Sequence, residues 1–197
     1  MLYYGSLLAK NALIFLHGYN QSAQNAKKLL SETINPSVLE NKSIVIFFPN
    51  KTWYKYTNEY RHDYNRESLY KVRKYLHIIF DKMSKEYNLL VAGYSQGATM
   101  AIDASSTYIK KIPVLSISGL PLNQPFVYPG ELYNKKDTII YYAHGKKDPC
   151  ILLKEAELLY KPYKTHRIIL NASHWGFWHH VKFRNFFINF VEKFRIV

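Results

Sequence analysis

The sequence predicts an α/β fold: a mostly parallel sheet of about six strands, covered by helices on both faces. Three observations lead there. Short apolar runs rich in β-branched residues recur along the chain. They alternate with amphipathic stretches of helical length. The polar motifs with chemical potential each stand where one of the apolar runs ends. Continuous apolar runs suit strands buried on both faces, and strand alternating with helix implies parallel pairing through crossovers.

The runs are "ALIFLHG" from Ala12, "SIVIFFP" from Ser43, "LLVAGYS" from Leu89, "IPVLSISG" from Ile112, "TIIYYAHG" from Thr138 and "THRIIL" from Thr165. Between them, helical patterns occupy Ser22–Ser31, Glu67–Tyr87, Gly97–Tyr108, Leu152–Tyr160 and Phe177–Phe194. In such folds ligands bind beyond the carboxyl ends of the strands. His17-Gly18, Ser95, Asp148 and His174 all follow strand ends.

A chain of 197 residues with 48% hydrophobic content can bury one sizeable core and is short for two, so residues 1–197 are expected to form a single domain. No internal repeat, low-complexity tract or long apolar span interrupts the pattern. The start reaches Lys10 too soon for a secretory signal and offers no small-residue cleavage site, and the single Cys150 excludes an internal disulfide framework. A cytoplasmic protein is the expectation. Cys150 itself is expected to be a partly buried, inert thiol.

The net charge of +13 admits a nucleic-acid partner, an anionic membrane surface or plain solubility. The basic pairs Lys27-Lys28, Lys110-Lys111, Lys135-Lys136 and Lys146-Lys147 are scattered, and no nucleic-acid motif accompanies them, so nucleic acid is not expected. Weak, diffuse attraction to an anionic membrane is the form of charge-driven association that this dispersal allows. The aromatic stripe of the last helix, with Phe183, Phe187, Phe190 and Phe194, is expected to cover the sheet, with an interfacial role as the alternative.

Gly93-Tyr94-Ser95-Gln96-Gly97 matches G-x-S-x-G, in which glycines make room for a sharp strand-to-helix turn that exposes the serine hydroxyl. A serine hydroxyl is a weak nucleophile. It needs a base, a group to orient that base, and donors for the developing oxyanion. "HGKKDP" and "NASHWG" place Asp148 and His174 after successive strands, in the chain order Ser, Asp, His. Asp137 is a poorer candidate because it precedes its strand; His166 falls within a strand, and His179 and His180 within the last helical pattern. The histidines and the cysteine show no metal-ligand spacing, so neither metal nor cofactor is expected.

From Ala12 to Trp175 the chain resembles the acyl-protein thioesterase, carboxylesterase and lysophospholipase branch of the α/β-hydrolases. The resemblance rests on "LIFLHGYNQSA", "FFPN", Glu67-Ser68, "GYSQGATMAI", "SISGLPL", "HGKKDP" and "SHWG". It implies an α/β-hydrolase fold, shortened here at the N-terminus by one or two leading strands. It further implies a catalytic triad of Ser95, Asp148 and His174 and oxyanion donors in the main-chain amides of Tyr19 and Gln96. The implied reaction is hydrolysis of acyl esters or thioesters of small molecules, lipids or acylated proteins.

Two departures accompany it: Asn20 stands where the family usually has a second glycine, and Lys51–Arg66 lacks the family's wording. That segment, with Trp53, Tyr54, Tyr56, Tyr60 and Tyr64, is expected to overhang the strand ends. Trp53, Tyr54, Tyr56 and Trp175 are the expected pocket residues. The alternatives are a hydrolase of the same mechanism acting on peptides or on carbohydrate- or nucleotide-linked esters, and a non-catalytic binding protein on the same scaffold.

Overall fold

The structure is a computed structural model and describes residues 2–4, 10–35, 43–48, 52–57, 64–123, 125, 127, 131, 133 and 137–194. Its sheet is built from β1 (Leu2–Tyr4), β2 (Asn11–Leu16), β3 (Ser43–Phe47), β4 (Asn88–Tyr94), β5 (Val114–Ile117), β6 (Ile139–Gly145) and β7 (Lys164–Leu170). The order across the sheet is β1-β3-β2-β4-β5-β6-β7. The six expected strands are all present and mutually parallel. A short leading strand, β1, adds to them and pairs antiparallel with β3, Leu2 opposite Phe47. The sequence reading therefore undercounted at the start, because three residues are too few to show a period.

Among the described residues five helices accompany the strands: α1 (Ala23–Thr33), α2 (Arg66–Met83), α3 (Gln96–Ser106) and α4 (Leu153–Tyr160) lie between strands, and α5 (Val181–Lys193) follows β7. Side chains alternate across the pleat, so each strand feeds two cores. Ala12, Ile14 and Leu16 pack with Leu76 and Phe80 of α2, Met100 of α3 and Tyr160 of α4. Leu13 and Phe15 pack with Leu30 of α1 and Phe183, Phe187 and Phe190 of α5. The aromatic stripe of the last helix is thus core, and the helix itself begins at Val181, later than Phe177. Among the described residues β2 and β5 are buried throughout and β4 and β6 in all but their first residue, whereas β7, at the sheet edge, is largely exposed or half-buried.

Caps mark several helix ends. Ser22 accepts from the Asn25 amide ahead of α1, and Asn65 accepts from the Ser68 amide ahead of α2, each satisfying one donor that the first turn leaves free. Helix α3 is buried along its whole length. On its buried side Asp103 meets Arg73 of α2 through two bonds, Nε to Oδ2 at 2.8 Å and Nη2 to Oδ1 at 2.9 Å. The same guanidinium donates to Glu131 at 2.7 Å, so the segment after β5 is tied to the helices beneath it. Among the described residues no helix is long and apolar enough to cross a membrane.

Candidate active site

The turn from β4 into α3 sets the geometry. Ser95 sits there at φ 53°, ψ −119°, a conformation that costs a non-glycine residue about 1–3 kcal/mol. The turn is made possible by the two glycines that flank it. A Cβ on Gly97 would come within 2.1 Å of the Leu16 carbonyl oxygen, and one on Gly93 within 2.3 Å of the Gly97 carbonyl oxygen. The N-terminus of α3 therefore lies against the end of β2. The Ser95 amide donates to the Ile117 carbonyl at 2.8 Å, which leaves the hydroxyl half-exposed at the carboxyl edge of the sheet.

Asp148 and His174 come from the turns after β6 and β7. His174 Nε2 lies 3.0 Å from Ser95 Oγ, and its Nδ1 lies 2.8 Å from Asp148 Oδ2. The other carboxylate oxygen, Oδ1, accepts from the amides of Cys150 at 2.8 Å and Ile151 at 2.9 Å. Burial pushes the Asp148 carboxyl up, but the bonds from His174, Ile151 and Cys150 outweigh it and hold the group below the usual carboxylate range. The three side chains that the resemblance singled out are thus hydrogen-bonded in series. Asp137, by contrast, lies at the opposite end of β6, 3.7 Å from Lys111 Nζ. His166 stacks on Tyr141 within β7.

Two further residues hold the histidine and the aspartate. Tyr94 donates its hydroxyl to the His174 carbonyl at 3.1 Å, and its ring lies 5.3 Å from the imidazole. His144 Nε2 pairs with the Ile151 carbonyl at 3.0 Å, bracing the turn that carries Asp148; burial pushes this imidazole down and keeps it neutral. Tyr94 could have been found in the sequence by its place beside the serine. Nothing in the sequence pointed to where the hydroxyl reaches.

The loop after β2 lies against Tyr94, the residue before the serine: a Cβ on Gly18 would come within 3.0 Å of its ring. Gly18 donates its amide to Gln21 Oε1 at 3.0 Å, which turns the loop, and Asn20 takes φ 56°. Asparagine tolerates this left-handed region better than most side chains. Tyr19 follows Gly18 and is 55% exposed. Gln96 is the first residue of α3, so its amide has no acceptor within the helix.

The segment after β3 closes the arrangement. Trp53 is 1% exposed; its indole N–H donates to the His17 carbonyl at 2.6 Å and its amide donates to Gln96 Oε1 at 3.0 Å. Gln96 Nε2 in turn donates to the Tyr54 carbonyl at 2.8 Å. A cavity of about 260 Å³ opens beside Ser95 and His174. Its walls include Tyr54, Tyr56 and Tyr64 on one side, Leu120 and Leu122 on a second, and Ile151 and Leu159 on a third, with Thr99 one turn along α3 from the serine.

Of the expected pocket residues, Tyr54 and Tyr56 line the cavity. Trp53 and Trp175 do not. Trp53 is buried beneath the β2 loop instead, where its ring packs on His17 and Phe48. Trp175 is 60% exposed and meets His174 edge-on. Tyr60 lies outside the described residues. The walls contributed by α4 and by the segment after β5 were not legible beforehand, because they are far from the serine in sequence. Thr99 could have been inferred from its i+4 spacing to Ser95 on a helix.

One group among the described residues could offer metal ligands: Asp148, Cys150 and His174 each place one donor atom within 4.8 Å of the others. The aspartate and histidine of that set are already engaged with each other and, at Oδ1, with two amides. Their donor atoms are therefore committed to a hydrogen-bond relay.

A parallel sheet with a strained serine at its carboxyl edge, backed by histidine and aspartate from later strands, defines the α/β-hydrolase class. The phospholipase/carboxylesterase family matches residues 4–174, and the chain belongs to that family. Solved structures share the fold. Arabidopsis thaliana SOBER1 is 19% identical, with a TM-score of 0.72 over 94% of this chain and 99% of its own. Zea mays acyl-protein thioesterase 2 is 15% identical, with a TM-score of 0.76 over 98% and 97%. The Bacillus cereus carboxylesterase is 18% identical, with a TM-score of 0.71 over 98% and 93%. No curated protein matches the sequence.

Proposed function

We propose that the protein is a serine hydrolase that cleaves acyl esters or thioesters through a covalent acyl-enzyme, with Ser95, His174 and Asp148 as its catalytic residues. The observation that carries this reading is the unbroken relay from Ser95 Oγ to His174 Nε2 and from His174 Nδ1 to Asp148, opening onto a cavity.

His174 Nε2 takes the hydroxyl proton as Oγ attacks the substrate carbonyl, and Asp148 stabilises the imidazolium that forms. The negative charge on the carbonyl oxygen is held by the amides of Tyr19 and Gln96. Collapse expels the alcohol or thiol, protonated by His174, and leaves the acyl group on Ser95. Water then attacks that ester with His174 again as base, releasing the carboxylic acid and restoring the serine.

The cavity, about 260 Å³ with Leu120, Leu122, Ile151 and Leu159 in its walls, suits an apolar acyl chain. The donor is an ester or thioester of a small molecule, a lipid or an acylated protein. A purely binding role on this scaffold would not require the histidine to stand within hydrogen-bond reach of the serine.

A fluorophosphonate probe tests the reading. Ser95 should be labelled covalently, and Ser95→Ala should abolish both labelling and hydrolysis of short p-nitrophenyl esters. Absence of labelling, with Ser95→Ala indistinguishable from wild type, overturns it. A panel of thioesters, lysophospholipids and short esters then identifies the acyl donor.

A further inference from the structure

Among the described residues eight large apolar side chains remain well exposed; one of them lines the active-site cavity and three more adjoin residues that line it. Leu158, 70% exposed, lines the cavity itself. Leu152, 64% exposed, follows the lining residue Ile151. Trp175, 60% exposed, adjoins His174 with ring centroids 5.4 Å apart. Tyr19, 55% exposed, lies 5.6 Å from the lining residue Tyr56. The other four, Tyr75, Ile78, Ile109 and Val181, are spread over α2, the end of α3 and the start of α5.

Large apolar side chains gathered around a cavity mouth mark a surface that something apolar covers. The charge around them narrows the choice. Lys146 and Lys147 are exposed in the turn that leads to Asp148. Lys55 is exposed between Tyr54 and Tyr56, and Lys154 is exposed in the first turn of α4. Among neighbouring carboxylates, Glu155 faces the cavity and Glu157 is paired with Arg167 at 2.7 Å. The combination of exposed aromatic and aliphatic side chains flanked by lysines fits a bilayer interface, where aromatic rings sit at headgroup level and ammonium groups meet anionic lipid.

We infer that the face carrying Tyr19, Leu152, Leu158 and Trp175, flanked by Lys146 and Lys147, docks on an anionic lipid surface and brings Ser95 to acyl groups held there. This rests on the hydrolase reading for its purpose, although the docking is measurable without turnover. It also replaces two weaker alternatives. The aromatic stripe of α5 is spent on the core. The Lys110-Lys111 pair lies ahead of β5, at the edge of the sheet opposite the serine, and would turn the site away from the membrane.

The chain contains three tryptophans, and Trp53 and Trp178 are only 1% and 3% exposed, so an interfacial change in emission reports Trp175. Ser95→Ala protein is mixed with vesicles of phosphatidylcholine with or without phosphatidylserine. On phosphatidylserine vesicles at low salt, emission should shift to the blue and be quenched by brominated lipid. A triple variant, Leu152→Ser with Lys146→Glu and Lys147→Glu, made in the active protein, should lose at least about tenfold in rate on a vesicle-borne ester, as expected when two surface lysines are reversed. Its rate on soluble p-nitrophenyl butyrate should stay within about twofold.

Unchanged emission on anionic vesicles overturns the inference, as does a triple variant whose two rates fall together. Binding to a soluble acidic peptide in place of vesicles assigns the face to a protein and overturns it equally. Failure of the wild type on the soluble ester would instead count against the hydrolase reading and leave the emission result standing.

Discussion

The indole N–H of Trp53 donates to the backbone carbonyl of His17 across 2.6 Å, two residues before the proposed oxyanion donor Tyr19. The same residue's amide is held by Gln96, whose own main-chain amide is the second proposed donor. One buried tryptophan therefore joins the two loops that must stay in register for an oxyanion to be held. Trp53→Phe keeps the apolar bulk and removes the indole donor. It is expected to lower kcat on the order of tenfold while KM stays nearly constant, because misplacing a donor weakens transition-state binding more than ground-state binding. Steady-state kinetics on one ester measure both, and a change in KM alone would count against this positioning role.

Ser95, His174 and Asp148 act as one unit in the proposed mechanism, so their losses should not add. Ser95→Ala and His174→Ala should each reduce kcat by about a million-fold, Asp148→Ala by somewhat less, and the triple variant by no more than the worst single change. Single-turnover kinetics on a p-nitrophenyl ester distinguish this from three independent contributions, which would multiply.

The depressed Asp148 carboxyl gives a signed pH effect. A carboxylate held below its unfolded value near 3.9 contributes stability above that pH, and the contribution is lost as pH falls through the lower folded value. Asp148→Asn should therefore melt at a lower temperature than wild type at pH 7, and the gap should narrow below about pH 4. Thermal unfolding across that range reads it directly. A gap that widens with acid would reverse the sign.

Arg73 is fully buried against Asp103 and bonded to Glu131. Arg73→Met leaves the Asp103 carboxyl buried without its guanidinium, a loss of about 3–5 kcal/mol. Replacing Asp103 by Leu in the same protein should recover part of that cost. Urea unfolding of the two single variants and the double variant closes the cycle, with additive losses as the contrary result.

Thr99 faces the cavity one turn from the serine. Thr99→Leu fills space at that wall and should shift the acyl-length preference toward shorter chains, lowering kcat/KM for an eight-carbon ester at least about fivefold relative to a two-carbon one. Equal effects on both esters would remove Thr99 from the acyl pocket.

Much of this protein was legible in one dimension. The inner parallel strands announce themselves as apolar runs because strands buried on both faces have no polar side to show, whereas β7, at the sheet edge, is only partly buried. The elbow is visible because its sharp turn excludes side chains at Gly93 and Gly97 whatever lies around it. The positions of Asp148 and His174 follow from the same logic, since each lies in the turn after a strand that brings it to the carboxyl edge.

What the sequence could not decide is what depends on distance in space between residues distant along the chain. That Trp53 braces a loop while Tyr54 and Tyr56 line the cavity is decided by which way one short segment turns, and local patterning carries no record of it. The cavity walls from α4 and from the segment after β5 arise only when crossovers bring them over the serine. The same physics separated two aromatic groups that look alike in sequence: Phe183, Phe187 and Phe190 found the sheet and became core, while Trp175 meets His174 edge-on and stays 60% exposed. Local chemistry is written residue by residue, but burial is a property of the assembled surface, and only the folded chain settles which apolar side chains have somewhere to go.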